Sequence, residues 1–193
     1  NKVCGSGLAS IMMADSCLQN EEMKVCLAGG MENMSRSPLL VERPQKGEEP
    51  KRSHEADHLF LDGLQDAYAK GTSMGIFAEA TAKKYGITRE EQDAFAIRSL
   101  EKANMATKEK WFEREIVPIL LKTPEGTQEI FEDENLKRAK VEKIPNLTPC
   151  FLPEGTITAA SSSGIADGAA AVLLMKESVA NSLKIMPRAR IVG

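Results

Sequence analysis

Apolar and polar positions along this chain follow a helical period in some stretches and a strand period in others. From Leu8 to Leu18 the apolar residues recur at every third or fourth position, which predicts a mostly buried helix. The short apolar run KVCLA (24–28) predicts a strand, which we expect to end at Gly29-Gly30. A helix followed by such a strand is the unit of an α/β core.

Two more helices are predicted in the middle of the chain. The stretch TSMGIFAEATAKKYG (72–86) has helical spacing and ends at Gly86, with Ile76, Ala80 and Ala82/Lys83 on successive turns. Directly after it, Thr88 and Glu91 form a capping box, which predicts a helix start at this point. The buried stripe that we expect on this second helix is Phe95, Ile97 and Leu100.

The second half of the chain contains the remaining strand signals. EIVPILL (115–121) alternates like a strand, and Pro118 marks an edge strand or its end. Residues 122–150 are charged and predicted to be irregular. GTITAASSSGIADGAAAVLLM then predicts a strand, a serine–glycine turn and a second strand over 170–175.

The charge and proline content of residues 36–58 predicts an excursion away from the core. We therefore expect an α/β fold with a layered core, built from 1–36 and 153–193. Residues 37–152 are expected to form an inserted, mostly helical subdomain.

Composition narrows the class of protein. The chain has 193 residues, 42% of them hydrophobic, and a net charge of -3, so nothing favours a nucleic-acid partner. No apolar run reaches the roughly 18 residues that a membrane span needs. The four cysteines lack CxxC spacing and suit a reducing compartment, which predicts a cytoplasmic protein. The chain begins with Asn1 and ends in ARIVG, which resembles a strand, so we expect an internal piece of a longer protein.

The segment NKVCGSGLAS places Cys4 in a glycine–serine turn just before the first helix. At a helix N-terminus, unpaired N–H groups and the helix dipole favour the thiolate, and the same donors can stabilise an oxyanion. Cys4 is therefore a candidate nucleophile. The alternative is a small buried apolar residue, a common role for cysteine.

Four stretches of the sequence resemble, in order, those of the thiolases, the acetyl-CoA acetyltransferase family. They are NKVCGSGLAS with LAGGMENMS, DHLFLDGLQDAY, SMGIFAEATAKKYGITREEQDAFAIRSLEKA, and EGTITAASSSGIADGAAAVLLM. The resemblance implies a partial thiolase core with an inserted loop domain that covers coenzyme A. It also implies an acyltransferase that needs no cofactor beyond its coenzyme A thioester substrates.

The same resemblance implies roles for individual residues. Cys4 would take the acyl group from an acyl-CoA as a thioester. The residues implied to contact the pantetheine arm are Leu64, Met74, Phe151, Ala159 and Ser163. Lys137 or Arg138, in EDENLKRAKVEK, would lie near the phosphates, although these cations also fit an ordinary solvated face.

Thiolases also use a histidine, an asparagine and a second cysteine in motifs toward their C-terminus, and none of these motifs occurs in this sequence. His54 and His58 match neither motif, so we predict that the 193 residues alone do not turn over substrate. Two departures from the family pattern, Ser161 for asparagine and Ser73 for a histidine, put the acyl-chain preference in doubt.

The resemblance therefore predicts a short-chain acyltransferase of lipid metabolism that acts on acetyl-CoA and acetoacetyl-CoA. Several alternatives to this prediction stay open. One is a degradative 3-ketoacyl-CoA thiolase, and another is a non-catalytic binding or assembly module on the same fold. HEADH (54–58) fits the zinc pattern H-E-x-x-H, which needs a helix and a third ligand, so a zinc hydrolase is a remote alternative. No other metal site is expected. The resemblance implies a dimer or tetramer for the full protein.

Overall fold

A computed structural model describes residues 2–49 and 55–192. The helices are α1 (Ser6–Gln19), α2 (Met74–Tyr85), α3 (Arg89–Lys108), α4 (Glu134–Arg138) and α5 (Glu177–Ser182). The strands are β1 (Val25–Asn33), β2 (Leu39–Leu40), β3 (Ala56–Asp57), β4 (Ile119–Thr123), β5 (Gly126–Ile130) and β6 (Asp167–Met175). They pair antiparallel as β1–β6, β2–β3 and β4–β5. Short 3-10 turns lie at Val3–Gly5, Met34–Arg36 and Val141–Asn146, and a π-helical turn lies at Phe60–Leu64.

The chain divides into two compact units, one inserted into the other. The first comprises Asn1–Gly63 and Ile165–Gly193, and the second comprises Leu64–Gly164. The sequence analysis placed the two boundaries after residues 36 and 152, whereas the units change after residues 63 and 164. Side-chain bonds from Glu79, described below, hold residues 156–157 to α2 in the second unit.

In the first unit, α1 packs on the long β1–β6 pair. Cys26 and Ala28 are buried, whereas the alternate residues Leu27 and Met31 are 74% and 75% exposed. Leu18 is the buried residue of α1, so the expectation of a mostly buried helix is wrong. Two strands cover one side of a helix, and the other apolar side chains of α1 are half-buried or exposed.

Strand β1 runs straight through the two glycines that were expected to end it. A Cβ at Gly29 would lie 2.2 Å from the carbonyl oxygen of Ala170 in the paired strand. Glycine is therefore present for close approach of two strands rather than for a turn.

In the helices of the second unit, the predicted ends are observed, whereas the predicted buried residues differ from those observed. Helix α2 ends at Gly86, whose φ of 64° is the left-handed cap, and α3 begins with the predicted capping box. The buried residues of α2 are Gly75, Glu79 and Ala82, so Glu79 takes the position expected for Ala80.

Phe95 on α3, expected in the buried stripe, is 65% exposed. It lines an open cavity of about 550 Å³ within the second unit, together with Gln92 and Ser161. Ile97 and Leu100, the other members of the predicted buried stripe, are half-buried, so the predicted stripe is wrong.

Two strand expectations are corrected in the second half of the chain. The strand predicted over 115–121 is observed only after Pro118, as β4, and Pro118 does not mark its end. Strand β4 pairs with β5 through a tight turn in a stretch that was expected to be irregular. GTITA is not a strand, because the N–H groups of Thr156 and Ile157 donate to the Glu79 carboxylate and not to a neighbouring strand. The described part of ARIVG is also outside any strand.

Candidate functional site

Cys4 lies in the 3-10 turn Val3–Gly5 that leads directly into α1. This is the predicted position at a helix start, and the side chain is exposed. The alternative interpretation, a small buried apolar residue, is therefore wrong. The thiol is accessible where a 14-residue helix presents its N–H groups.

The turn around Cys4 is held by one side chain. The Ser6 hydroxyl donates to the carbonyl of Val3 at 2.8 Å and accepts from the N–H of Lys2 at 2.8 Å. Val3 has a φ of 53°, which is strained for a β-branched residue. Strain of this kind is typical of functional sites and persists only where surrounding contacts enforce it.

The second unit holds all the residues that the sequence assigns to coenzyme A. Leu64 and Met74 flank a closed loop, since Gln65 and Ser73 form an isolated β-bridge. The N–H of Asp66 donates to the carbonyl of Thr72 at 2.8 Å and closes the loop further. Leu64 is half-buried and Met74 is 47% exposed, so both are accessible to a ligand.

Phe151 packs its ring on the first turn of α2. A Cβ at Gly75 would lie within 2.2–2.3 Å of three carbons of that ring. Because Gly75 follows Met74 in the chain, the structure brings Phe151 to the same turn of helix as Met74. The aromatic side chain is half-buried there.

Ala159 and Ser163 lie at a turn built on Thr158, whose exposed fraction is 0%. The N–H of Thr158 donates to the Ser161 hydroxyl oxygen at 3.0 Å, and the Ser162 hydroxyl donates to the Thr158 carbonyl at 2.8 Å. Ala159 and Ser163 themselves are exposed. Ser161, which stands where the family has asparagine, therefore braces the turn through its hydroxyl.

Lys137 and Arg138 end the short helix α4, and the same helix contacts the end of the serine–glycine turn. A Cβ at Gly164 would lie 3.4 Å from the amide nitrogen of Asn135. Lys137 pairs with Glu132 at 2.5 Å and Arg138 pairs with Glu134 at 3.0 Å. Acidic partners from the preceding residues thus offset the basic patch that the sequence indicates.

Glu79 is a site residue that the sequence analysis missed. Its side chain is buried, and its carboxylate accepts hydrogen bonds from the backbone N–H groups of Thr156 and Ile157. Burial raises the pKa of Glu79, but the bonds from Thr156 and Ile157 outweigh it and hold the pKa below its ordinary value. The available signal was a lone glutamate on the same helix face as Gly75 and Ala82.

The zinc motif has little structural support in its described part. His54 lies outside the described residues. His58 contacts the Ser37 hydroxyl at 3.3 Å and Asp62 at 2.8 Å, and Ala56–Asp57 is a strand rather than the helix that the motif needs. Within 2–49 and 55–192, no cluster of three or more metal-binding side chains occurs.

The chain belongs to the thiolase family: the family model "Thiolase, N-terminal domain" matches residues 1–178.

Individual relatives agree with this assignment. The chain is 44% identical over 195 residues to a probable acetyl-CoA acyltransferase of Staphylococcus aureus strain COL, covering 100% of this chain and 49% of that protein. The counterpart in strain NCTC 8325 is 43% identical over the same extent. Among solved structures, Acat5 thiolase from Ascaris suum in complex with coenzyme A superposes with a TM-score of 0.83 at 39% identity, over 97% of this chain and 47% of that one. The chain thus spans about half the length of these relatives.

The α/β thiolase-like fold is therefore confirmed. In the described part of the chain, every helix is too short or too polar to cross a membrane.

Proposed function

We propose that the full-length protein carrying this chain is an acyl-CoA C-acyltransferase in which Cys4 holds the acyl group as a thioester. The observation that carries the proposal is the exposed Cys4 thiol in a strained, side-chain-braced turn at the start of α1. Membership of the thiolase family supports the same assignment.

The chemistry begins when the Cys4 thiolate attacks the carbonyl carbon of an acyl-CoA. Negative charge develops on the carbonyl oxygen, where the positive end of the α1 dipole is favourable. The carbon–sulfur bond to coenzyme A then breaks, and the departing thiolate takes up a proton. In the second half, a base removes an α-proton from acetyl-CoA, a role that the thiolase resemblance gives to a second cysteine elsewhere in the full-length protein. The resulting enolate attacks the Cys4 thioester, a carbon–carbon bond forms, the bond between the acyl carbon and the Cys4 sulfur breaks, and the Cys4 thiolate is released.

The second unit would bind the coenzyme A arm. Met74 lies on the first turn of α2, and the Phe151 ring packs against the same turn. Leu64 lies at the other end of the loop that the Gln65–Ser73 bridge closes. Ala159 and Ser163 are exposed at the turn built on Thr158. The Ascaris protein, similar over 97% of this chain, was solved with coenzyme A, which supports this assignment. Lys137 and Arg138 would lie near the phosphates.

We propose acetyl-CoA and acetoacetyl-CoA as the substrates, and the name acetyl-CoA acyltransferase of the staphylococcal relatives supports the first of these. A degradative enzyme would instead turn over long 3-ketoacyl-CoA best. A chain-length series on the full-length protein separates the two. Assembly as a dimer or tetramer and a cytoplasmic role in lipid metabolism belong to the same proposal, and light scattering tests the assembly.

The decisive experiment is mass spectrometry of the full-length protein after brief exposure to acetyl-CoA. We expect a single acetyl adduct that maps to the Cys4 peptide and is lost in Cys4→Ala. Cys150→Ala is the matched control, because Cys150 is also an exposed free cysteine. An adduct that survives in Cys4→Ala, or no adduct at all, would refute the nucleophile and leave a binding module on the same fold.

A further inference from the structure

A buried carboxylate on α2 takes the place of a neighbouring strand for the segment after Gly155. Each carboxylate oxygen of Glu79 lies 2.9 Å from the Thr156 nitrogen, and Oε1 also accepts from the Ile157 nitrogen at 2.8 Å. The Thr156 hydroxyl adds a bond to Oε2 at 3.1 Å. A buried charge is costly unless it is fully bonded, and this one is satisfied entirely by Thr156 and Ile157.

The bonds of Glu79 also affect the turn built on Thr158, which the proposed function assigns to coenzyme A binding. Ile157 is followed by Thr158, whose N–H, carbonyl and hydroxyl bind the residues of the turn up to Ser162. Ala159 lies within this turn and Ser163 follows it directly. Fixing the backbone at 156–157 therefore fixes the direction in which both residues leave.

The same bonds reach Phe151 on the other side. The Cys150 N–H donates to the Ile157 carbonyl at 2.9 Å, next to the amide that Glu79 accepts from. The Phe151 ring packs on Gly75, one turn of α2 before Glu79. Helix α2 thus sets the position of Phe151 by direct packing and that of the turn through Glu79.

We infer that Glu79 is a positioning residue for the coenzyme A arm, acting through Thr156 and Ile157 on Ala159 and Ser163. The inference rests on the proposed function, which assigns those two residues to pantetheine. Glu79 is buried and its carboxylate is bonded to Thr156 and Ile157, so the role we assign to it is positioning and not catalysis. Its effect should therefore be confined to substrates that carry the pantetheine arm.

The test is Glu79→Gln in the full-length protein, assayed with two acyl donors. The amide keeps the shape of the side chain, but it offers one acceptor oxygen and turns an NH₂ group toward N–H donors. We expect KM for acetyl-CoA to rise about tenfold, the equivalent of one charge-assisted hydrogen bond, with kcat nearly unchanged. The acylation rate of Cys4 by the acetyl thioester of N-acetylcysteamine, which lacks most of the arm, should not change.

Two further variants make the result decisive. Glu101→Gln, an exposed glutamate on α3, is the matched control and should behave as wild type with both donors. Thr156→Val removes the hydroxyl bond but keeps both backbone bonds, so it should raise KM for acetyl-CoA by a smaller factor. It also replaces Glu79→Gln should that variant fail to fold.

The outcomes separate the inference from the proposed function. Equal losses with both donors, or a Glu79→Gln enzyme that matches wild type, would overturn the positioning role while leaving the acyltransferase intact. A wild-type protein that forms no Cys4 thioester with either donor would overturn the proposed function and the inference together.

Discussion

The ring of Phe151 fills the space that a side chain at Gly75 would need. A Cβ built at Gly75 lies 2.2 Å from Cγ of that ring, far closer than a van der Waals contact. The position of Phe151 therefore depends on the absence of a side chain on the first turn of α2.

Gly75→Ala should therefore destabilise the protein, although alanine is ordinarily the better helix residue. We expect a loss of about 1–3 kcal/mol in the free energy of unfolding, the usual cost of overpacking, and weaker coenzyme A binding as the ring is displaced. Urea unfolding and calorimetric titration measure the two effects. Gly7→Ala in α1 meets nothing within 4 Å and should be neutral or stabilising, so a loss of the same size there would contradict this explanation.

Arg89 should contribute more to stability than a surface arginine. Its Nε donates to Asp93 at 2.9 Å, and its Nη2 donates to the carbonyls of Ile144 and Leu147 at 3.0 and 2.9 Å. Asp93 is only 7% exposed. The Arg89→Met variant leaves its charge without a partner, which should lower the free energy of unfolding by about 3–5 kcal/mol. The double variant Arg89→Met/Asp93→Leu should recover much of the loss in urea unfolding, and strict additivity of the single variants would argue against the pair.

Asp167 should make stability depend on pH in the acid range. The hydroxyl and then the N–H of Ser35 donate to its carboxylate and hold the pKa of Asp167 below its ordinary value. Because the folded pKa is the lower one, the stabilisation is complete above the unfolded pKa of about 3.9 and is lost as pH falls through the folded value. Below pH ~5, the melting temperature of both Asp167→Asn and Ser35→Ala should fall less steeply with decreasing pH than that of the wild type. An unchanged decline in both would contradict the assignment.

Lys137 and Arg138 should matter for the nucleotide end of coenzyme A and not for its pantetheine arm. Each already has an acidic partner, and their side chains are 69% and 74% exposed, so any contribution should be modest and weakened by salt. The double alanine variant should bind coenzyme A a few-fold more weakly at low salt, yet bind acetyl-pantetheine like wild type. Lys110→Ala, another exposed and paired lysine, serves as the control. Equal weakening toward both ligands would point to a structural role for α4.

Features set by neighbouring residues were predictable from the sequence. The Thr88–Glu91 capping box and the left-handed Gly86 depend on contacts within a single turn of chain, and both are confirmed. The position of Cys4 at a helix start is equally local. The β4–β5 turn at Thr123–Gly126 is also local, but the sequence analysis did not predict it. Pro124 and Gly126 were the signal that it missed.

Features set by distant partners were not predictable in the same way. GTITA has the composition of a strand, yet two of its backbone N–H groups, at Thr156 and Ile157, donate to Glu79, which lies 77 residues before Thr156. Periodicity identifies which face of α2 is apolar, but it does not show that a carboxylate on that face has found N–H groups to bind. The same limit applies to Phe95, since a stripe of apolar residues does not reveal which of them borders a cavity.

The carboxylate bonds of Glu79 also have a dynamic consequence for a stretch that has no regular secondary structure. The amide protons of Thr156 and Ile157 are hydrogen-bonded to the Glu79 carboxylate, the first in a partly buried and the second in a buried position. Thr158 is wholly inaccessible to solvent. Deuterium should therefore enter these three positions as slowly as it enters a paired strand, while the surrounding coil exchanges quickly. Irregular backbone can thus be as rigid as a sheet when a helix supplies the acceptor.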